Sequence, residues 1–90
     1  MVWFVYIVEC NDKSLYTGIT VDLKRRVSEH NSDDVKGAKS LRGKRPVALA
    51  YYEAYYSQSE ARKREAAIKN WRREYKLRLI SNFKIEEFKS

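Results

Sequence analysis

The residues that could do chemistry are few, and they come in a definite order. Tyr6 and Tyr16 fall in two strand-like runs separated by a short polar turn, within VYIVECNDKSLYTGIT (Val5 to Thr20). Two phenols carried on the two arms of a hairpin can reach the same side of a sheet. Arg26 and His30 are four residues apart and lie beside the stripe formed by Leu23 and Val27. An arginine placed there can fork onto a phosphate, and a histidine can donate a hydrogen bond or shuttle a proton. A solvated basic helix with its histidine tucked at the sheet edge would satisfy the same spacing. Glu65 shares a helical stripe with Ala61 and Ile68, at i, i+4 and i+7. A carboxylate that points where core residues point must be paired, protonated or bound to a cation. A salt bridge to one of the many arginines is the plain alternative. Taken together, two hydroxyls, a guanidinium, an imidazole and a carboxylate make a set suited to phosphodiester hydrolysis. The carboxylate would hold a divalent metal, the arginine would neutralise phosphate, and a tyrosine or histidine would manage water and protons.

The elements that must position this set can be read from the pattern. Residues 2–10 are rich in Val, Ile, Phe, Trp and Tyr and almost continuously apolar, which predicts a central strand covered on both faces. Asn11-Asp12-Lys13-Ser14 is turn chemistry, and residues 15–20 form a second, antiparallel strand. Gly18 inside that strand signals a bulge or a close backbone approach. Asp22 is placed to cap a helix that ends at Asn31 and Ser32. Residues 33–46 read as a basic loop, residues 47–56 as a third strand, and Ser57 or Ser59 as the cap of a helix running to about Trp71. A further helical segment is expected near 72–81. The order β-β-α-β-α-α predicts an α+β domain over 1–82, a three-stranded antiparallel sheet flanked by helices, with 83–90 as a C-terminal tail.

Composition narrows the partners. Nineteen Lys and Arg against twelve Asp and Glu leave a net charge of +7 in 90 residues. Such a field favours polyanions through steering and counterion release. The cations are not confined to one amphipathic helix with a large apolar face, so nucleic acid is expected ahead of a membrane surface. Lys24 and Arg25 on the first helix, and Lys39, Arg42, Lys44 and Arg45 in the loop, are the expected backbone contacts. Cys10 is the only cysteine and His30 the only histidine, which excludes an intrachain disulfide, a thiolate cluster and a multi-histidine metal site. The N-terminal run lacks the basic region and small-residue cleavage site of a signal peptide, and no run approaches the length of a membrane span. A cytoplasmic location is the default expectation.

The same residues resemble the GIY-YIG endonuclease superfamily, in its short stand-alone branch. Phe4-Val5-Tyr6 stands at the first tripeptide and Tyr16-Thr17-Gly18 at the second. TVDLKRRVSEHN resembles the helix that follows, SEARKREAAIKNW the metal-binding helix, and GAKSLRGKRP a loop typical of the stand-alone branch. The likeness covers about residues 2–80, with five elements in order. Phe4 replaces the first glycine, Thr17 an isoleucine, and Ile19 stands where relatives often carry lysine. The resemblance implies metal-dependent cleavage of DNA by a weakly selective or structure-specific endonuclease of repair or recombination. It implies one Mg²⁺ or Mn²⁺ on Glu65, Arg26 on the scissile phosphate, His30 at the family's His/Tyr position, and Tyr6 or Tyr16 near the attacking water. RNA remains open as a substrate, and a protein partner would supply specificity. A non-catalytic nucleic-acid-binding module is the second class of function, and a protein-interaction domain the third.

Overall fold

The computed structural model describes residues 1–89, with side chains to Phe83. Strand β1 (Trp3–Glu9) lies at the centre of the sheet, between β2 (Leu15–Thr20) and β3 (Ala48–Tyr55), and pairs antiparallel with both. Its central place explains the unbroken apolar run: Val5, Tyr6, Ile7 and Val8 are all buried, two on each face. The hairpin turn closes through Cys10 N–H donating to the Ser14 carbonyl at 2.8 Å, with Lys13 in the left-handed region at φ 71°.

Helix α1 spans Leu23–Ser32, and Asp22 caps it by accepting from the Arg25 N–H at 3.0 Å. Helix α2 spans Gln58–Lys69, capped by Ser57 through the Glu60 N–H at 3.1 Å. It ends at Lys69, two residues short of Trp71, with Asn70 as its cap, and Trp71 packs on the core. Helix α3 runs Arg73–Lys89, longer than expected: it continues through the segment read as a tail, whose final residue Ser90 lies outside the described residues. The basic loop is more ordered than its composition predicts. It holds a 3-10 segment at Lys39–Lys44, whose Leu41 is buried against Tyr6 and Val8. Asn31 fixes the far end of this loop, accepting from the Val47 N–H at 2.7 Å and donating to the Val47 carbonyl at 2.9 Å.

The two faces of the sheet carry different burdens. Val5, Ile7 and Tyr51 pack with Ala61 and Ile68 of α2 and Ile80 of α3. Each fully buried aliphatic side chain here contributes on the order of 1.5–3 kcal/mol over its exposed state. The opposite face gathers Tyr6, Val8, Cys10, Leu41 and Val47, flanked by Tyr16, Leu23 and Val27. Tyr6 and Tyr16 lie on this second face with α1, the helix that carries Arg26 and His30, whereas Glu65 belongs to α2 on the first.

Candidate active site

The register of the hairpin sets the first contact. Tyr6 pairs with Gly18, and Val8 pairs with Tyr16, so both phenols and the glycine share one face. A Cβ at Gly18 would fall 2.5 Å from the Tyr6 hydroxyl and 2.7 Å from its Cζ. The Tyr6 ring therefore lies across the bare backbone of β2, and the glycine is the close approach its strand position predicted. The Tyr6 and Tyr16 ring centroids are 6.5 Å apart.

Helix α1 brings His30 under both rings, with centroids 6.0 Å from Tyr6 and 5.4 Å from Tyr16. His30 is completely buried, and its hydrogen bonds assign its tautomer. The Ala38 N–H donates to Nδ1 at 3.2 Å, so Nδ1 carries no proton. Burial, with the nearby charges of Arg26 and Arg45, pushes the imidazole pKa down to about 4. The ring is thus neutral at physiological pH, and its single proton sits on Nε2, which donates to the Tyr6 hydroxyl oxygen at 2.8 Å. Tyr6 is left with its own proton free to point elsewhere. Its pKa is raised to about 12, chiefly by burial and then by the neighbouring Tyr16, with a further push from Glu65; Arg26 pulls it the other way.

Arg26 is half-buried and held from behind. Its Nη1 donates to Glu29 Oε1 at 3.0 Å and to the Lys36 carbonyl at 2.6 Å, while its charge acts on the Tyr6 phenol. Glu65 is half-buried on α2, near enough for its charge to raise the Tyr6 pKa. Its partner is Lys69, 3.5 Å away and half-exposed, rather than an arginine in the core. Tyr6, Tyr16, Arg26 and His30 are therefore brought together, and Glu65 approaches them from α2 closely enough for its charge to act on Tyr6.

The arginine–carboxylate pair that was the alternative for Glu65 is made instead by Arg64, one residue earlier, with Glu53 of β3. Arg64 Nε donates to Glu53 at 2.5 Å, and the phenols of Tyr51 and Tyr55 donate to the same carboxylate. Burial would raise the Glu53 pKa, but these three donors hold it below the usual carboxylate range. Sequence reading missed this network. The signal was present in the alternation Tyr51-x-Glu53-x-Tyr55, which places a carboxylate between two phenols on one strand face.

The expected backbone contacts separate into two groups. Lys24, Arg25, Lys39 and Arg42 are exposed on α1 and the 3-10 segment, and Arg42 donates to the Asp34 carbonyl. Lys44 lies 3.9 Å from Asp12 at the hairpin turn. Arg45 is committed inward: it donates to the His30 carbonyl at 2.7 Å, to Asp34 at 2.8 Å and to the Asp33 carbonyl at 3.3 Å. It clamps the loop to the C-terminal end of α1, where it also fixes the register that brings Ala38 to His30.

A single carboxylate beside a phenol and a guanidinium suits a hard divalent cation that keeps most of its water. Mg²⁺ is commonly held by one or two carboxylates and completed by substrate phosphate oxygens. Among the described residues no cluster of three or more His, Cys, Asp or Glu side chains could enclose an ion, so Glu65 fits such an ion only as one ligand among water and phosphate. No described helix is long and apolar enough to cross a membrane.

The fold class is α+β, a three-stranded antiparallel sheet flanked by helices, with a phenol–imidazole pair on one of its faces. The chain belongs to the GIY-YIG catalytic domain family, which matches residues 2–78. It is 53% identical to a UPF0213 protein of Staphylococcus epidermidis over 77 residues, 86% of this chain and 92% of that one. A UPF0213 protein of Desulfotalea psychrophila is 58% identical over 67 residues, but the match spans only 60% of that protein's length and 74% of this chain. Two solution structures share the fold. A protein of Enterococcus faecalis aligns with a TM-score of 0.63 at 38% identity, covering 94% of this chain and 88% of that one. A UPF0213 protein of Bacillus halodurans aligns at 0.57 and 42% identity, covering 90% and 84%.

Proposed function

We propose that this protein is a divalent-metal-dependent DNA endonuclease that hydrolyses phosphodiester bonds with little sequence selectivity or by DNA shape. The observation that carries this reading is the hydrogen bond from His30 Nε2–H to the Tyr6 oxygen, with Arg26 and Glu65 acting on the same phenol. A histidine that donates to a phenol favours its ionised form and leaves its oxygen a lone pair for a water proton. Arg26, propped by Glu29 and Lys36, presents its remaining N–H groups to a phosphate. A divalent ion on Glu65 would supply positive charge against the phosphate and the leaving oxygen. Once Tyr6 has lost its own proton to solvent, water attacks phosphorus as the phenolate takes the water proton, the bond from phosphorus to the leaving sugar oxygen breaks, and that oxygen is protonated from solvent. We place the activity in the cytoplasm, on DNA intermediates of repair or recombination, where a lone buried Cys10 needs no disulfide partner.

Tyr6 at a pKa of about 12 is a phenol at neutral pH, so ionisation must be drawn out by positive charge arriving with the substrate. Cleavage should accordingly rise about tenfold per pH unit on the acid side of the loaded pKa. Supercoiled plasmid incubated with Mg²⁺ or Mn²⁺ tests the reading. Nicking by the wild type that disappears in Glu65→Ala supports it. Retention of DNA without nicking, weakening steeply with salt, would instead make the protein a binding module on the same fold.

A further inference from the structure

The phenols, imidazole and guanidinium of the candidate site gather on one face of the sheet, and a second group of cations lies beyond it. Between Lys69 and Arg78 five cations stand against one carboxylate, Glu74. Arg72, in the turn from α2 to α3, and Arg73, the first residue of α3, are exposed, and the Arg72 side chain is 81% accessible. Its nearest carboxylate, Glu74, lies 3.9 Å away and is itself 61% accessible, a geometry that neutralises little charge.

Two backbone contacts join this turn to the rest of the basic surface. Arg73 Nη2 donates to the Lys13 carbonyl at 2.6 Å, which sets the α2–α3 turn against the tip of the hairpin. On the other side of that tip, the Asn11 N–H donates to the Lys44 carbonyl at 2.9 Å, and Lys44 stands 3.9 Å from Asp12. At the start of the turn Lys69 pairs with Glu65, and Lys76 reaches back to the Lys69 carbonyl at 3.5 Å. These contacts place Lys44, Lys13, Arg73, Arg72 and Lys69 in sequence from the 3-10 segment toward Glu65, with Asp12 the one carboxylate at the hairpin tip.

We propose that the hairpin tip and the α2–α3 turn form a second phosphate-binding surface, with Lys13, Arg72, Arg73 and Lys76 holding the DNA backbone on the Glu65 side of the cleavage centre. This proposal rests on the nucleic-acid reading above, but it does not require cleavage. A molecule 32 Å in its longest dimension offers a belt of about one turn of duplex. Like charges crowded at an exposed turn repel one another, and a row of phosphates is the ligand whose spacing relieves that repulsion along the whole belt.

The test is the salt dependence of binding to a 20-base-pair duplex, without metal. Each lost phosphate contact lowers the slope of log K against log salt by about 0.9. Replacing Arg72, Arg73 and Lys76 by glutamine should reduce the slope by about 2 to 3 and weaken binding at least tenfold near 0.1 M salt. Arg72→Gln alone, on a side chain free of the core, should lower it by about 1 and carries the test if the triple variant melts early. An unchanged slope, or weaker binding with an unchanged slope, overturns the proposal, since the belt would then act only through general charge. Loss of slope in a protein that never nicks DNA would keep this surface and dismiss the endonuclease.

Discussion

At the scale of single residues, the site depends on what Gly18 lacks. A methyl there would meet the Tyr6 hydroxyl at 2.5 Å and its ring at 2.7 Å, so Gly18→Ala must displace either the phenol or the strand. Overpacking of this kind costs about 1–3 kcal/mol, and the displaced phenol should lose its bond to His30. Chemical denaturation reads the first effect, and nicking activity the second. His30 adds a pH dependence. Its folded pKa of about 4 lies below the unfolded value of 6.5, so the folded state binds fewer protons between them. The stability this contributes is complete above pH 6.5 and is lost as pH falls toward 4. The full shift corresponds to roughly 3 kcal/mol, and His30→Gln should lack that share of the acid destabilisation in urea midpoints compared at pH 7 and pH 4.5. That Tyr6, Tyr16, Arg26 and His30 come together was legible because each sits at a spacing its element makes meaningful. What could not be read was how they are wired. The tautomer of His30 depends on an N–H eight residues away in the chain, from Ala38, and no local pattern reports a bond across a loop.

At the scale of elements, strands and helices followed their patterns because the patterns were strong. The β1 run is apolar on both sides of the pleat because two layers of helix cover it, and Asp22 and Ser57 cap where caps were expected. The loop at 33–46 was harder to read. Its polar, glycine-containing composition hides a 3-10 segment pinned by Leu41 beneath and by Arg45 and Asn31 at its end. Those pins are long-range, so sequence periodicity does not register them. The reach of α3 beyond residue 81 was missed for a related reason: Phe83 packs against Tyr51 and Tyr52 of β3, a contact that no local helical stripe reports. Asn31→Ala tests the loop's role. It removes both bonds to Val47 and should cost about 1–3 kcal/mol. Because the same loop delivers the Ala38 N–H to His30, cleavage should fall by more than the lost stability explains at temperatures where the variant is fully folded. Ser57→Ala, by contrast, should cost about 1 kcal/mol at a helix end remote from the phenols and leave cleavage of the folded protein near wild type.

At the scale of the whole molecule, one small sheet keeps two tasks apart. One face and its helices supply the apolar core, and the other gathers phenols, imidazole and guanidinium under a basic rim. Glu65 joins the second task from a helix that otherwise serves the first, and the Arg64–Glu53 pair beside it anchors that helix to β3. The most direct measurement is single-turnover nicking of supercoiled plasmid by wild type and Glu65→Gln in Mn²⁺, with DNA retention and thermal stability measured on the same samples. The account predicts at least a hundredfold slower nicking in the variant, with melting temperature little changed and DNA still bound. Equal nicking by the two proteins would contradict it, since a side chain of the same shape without the charge would then serve as well as the carboxylate.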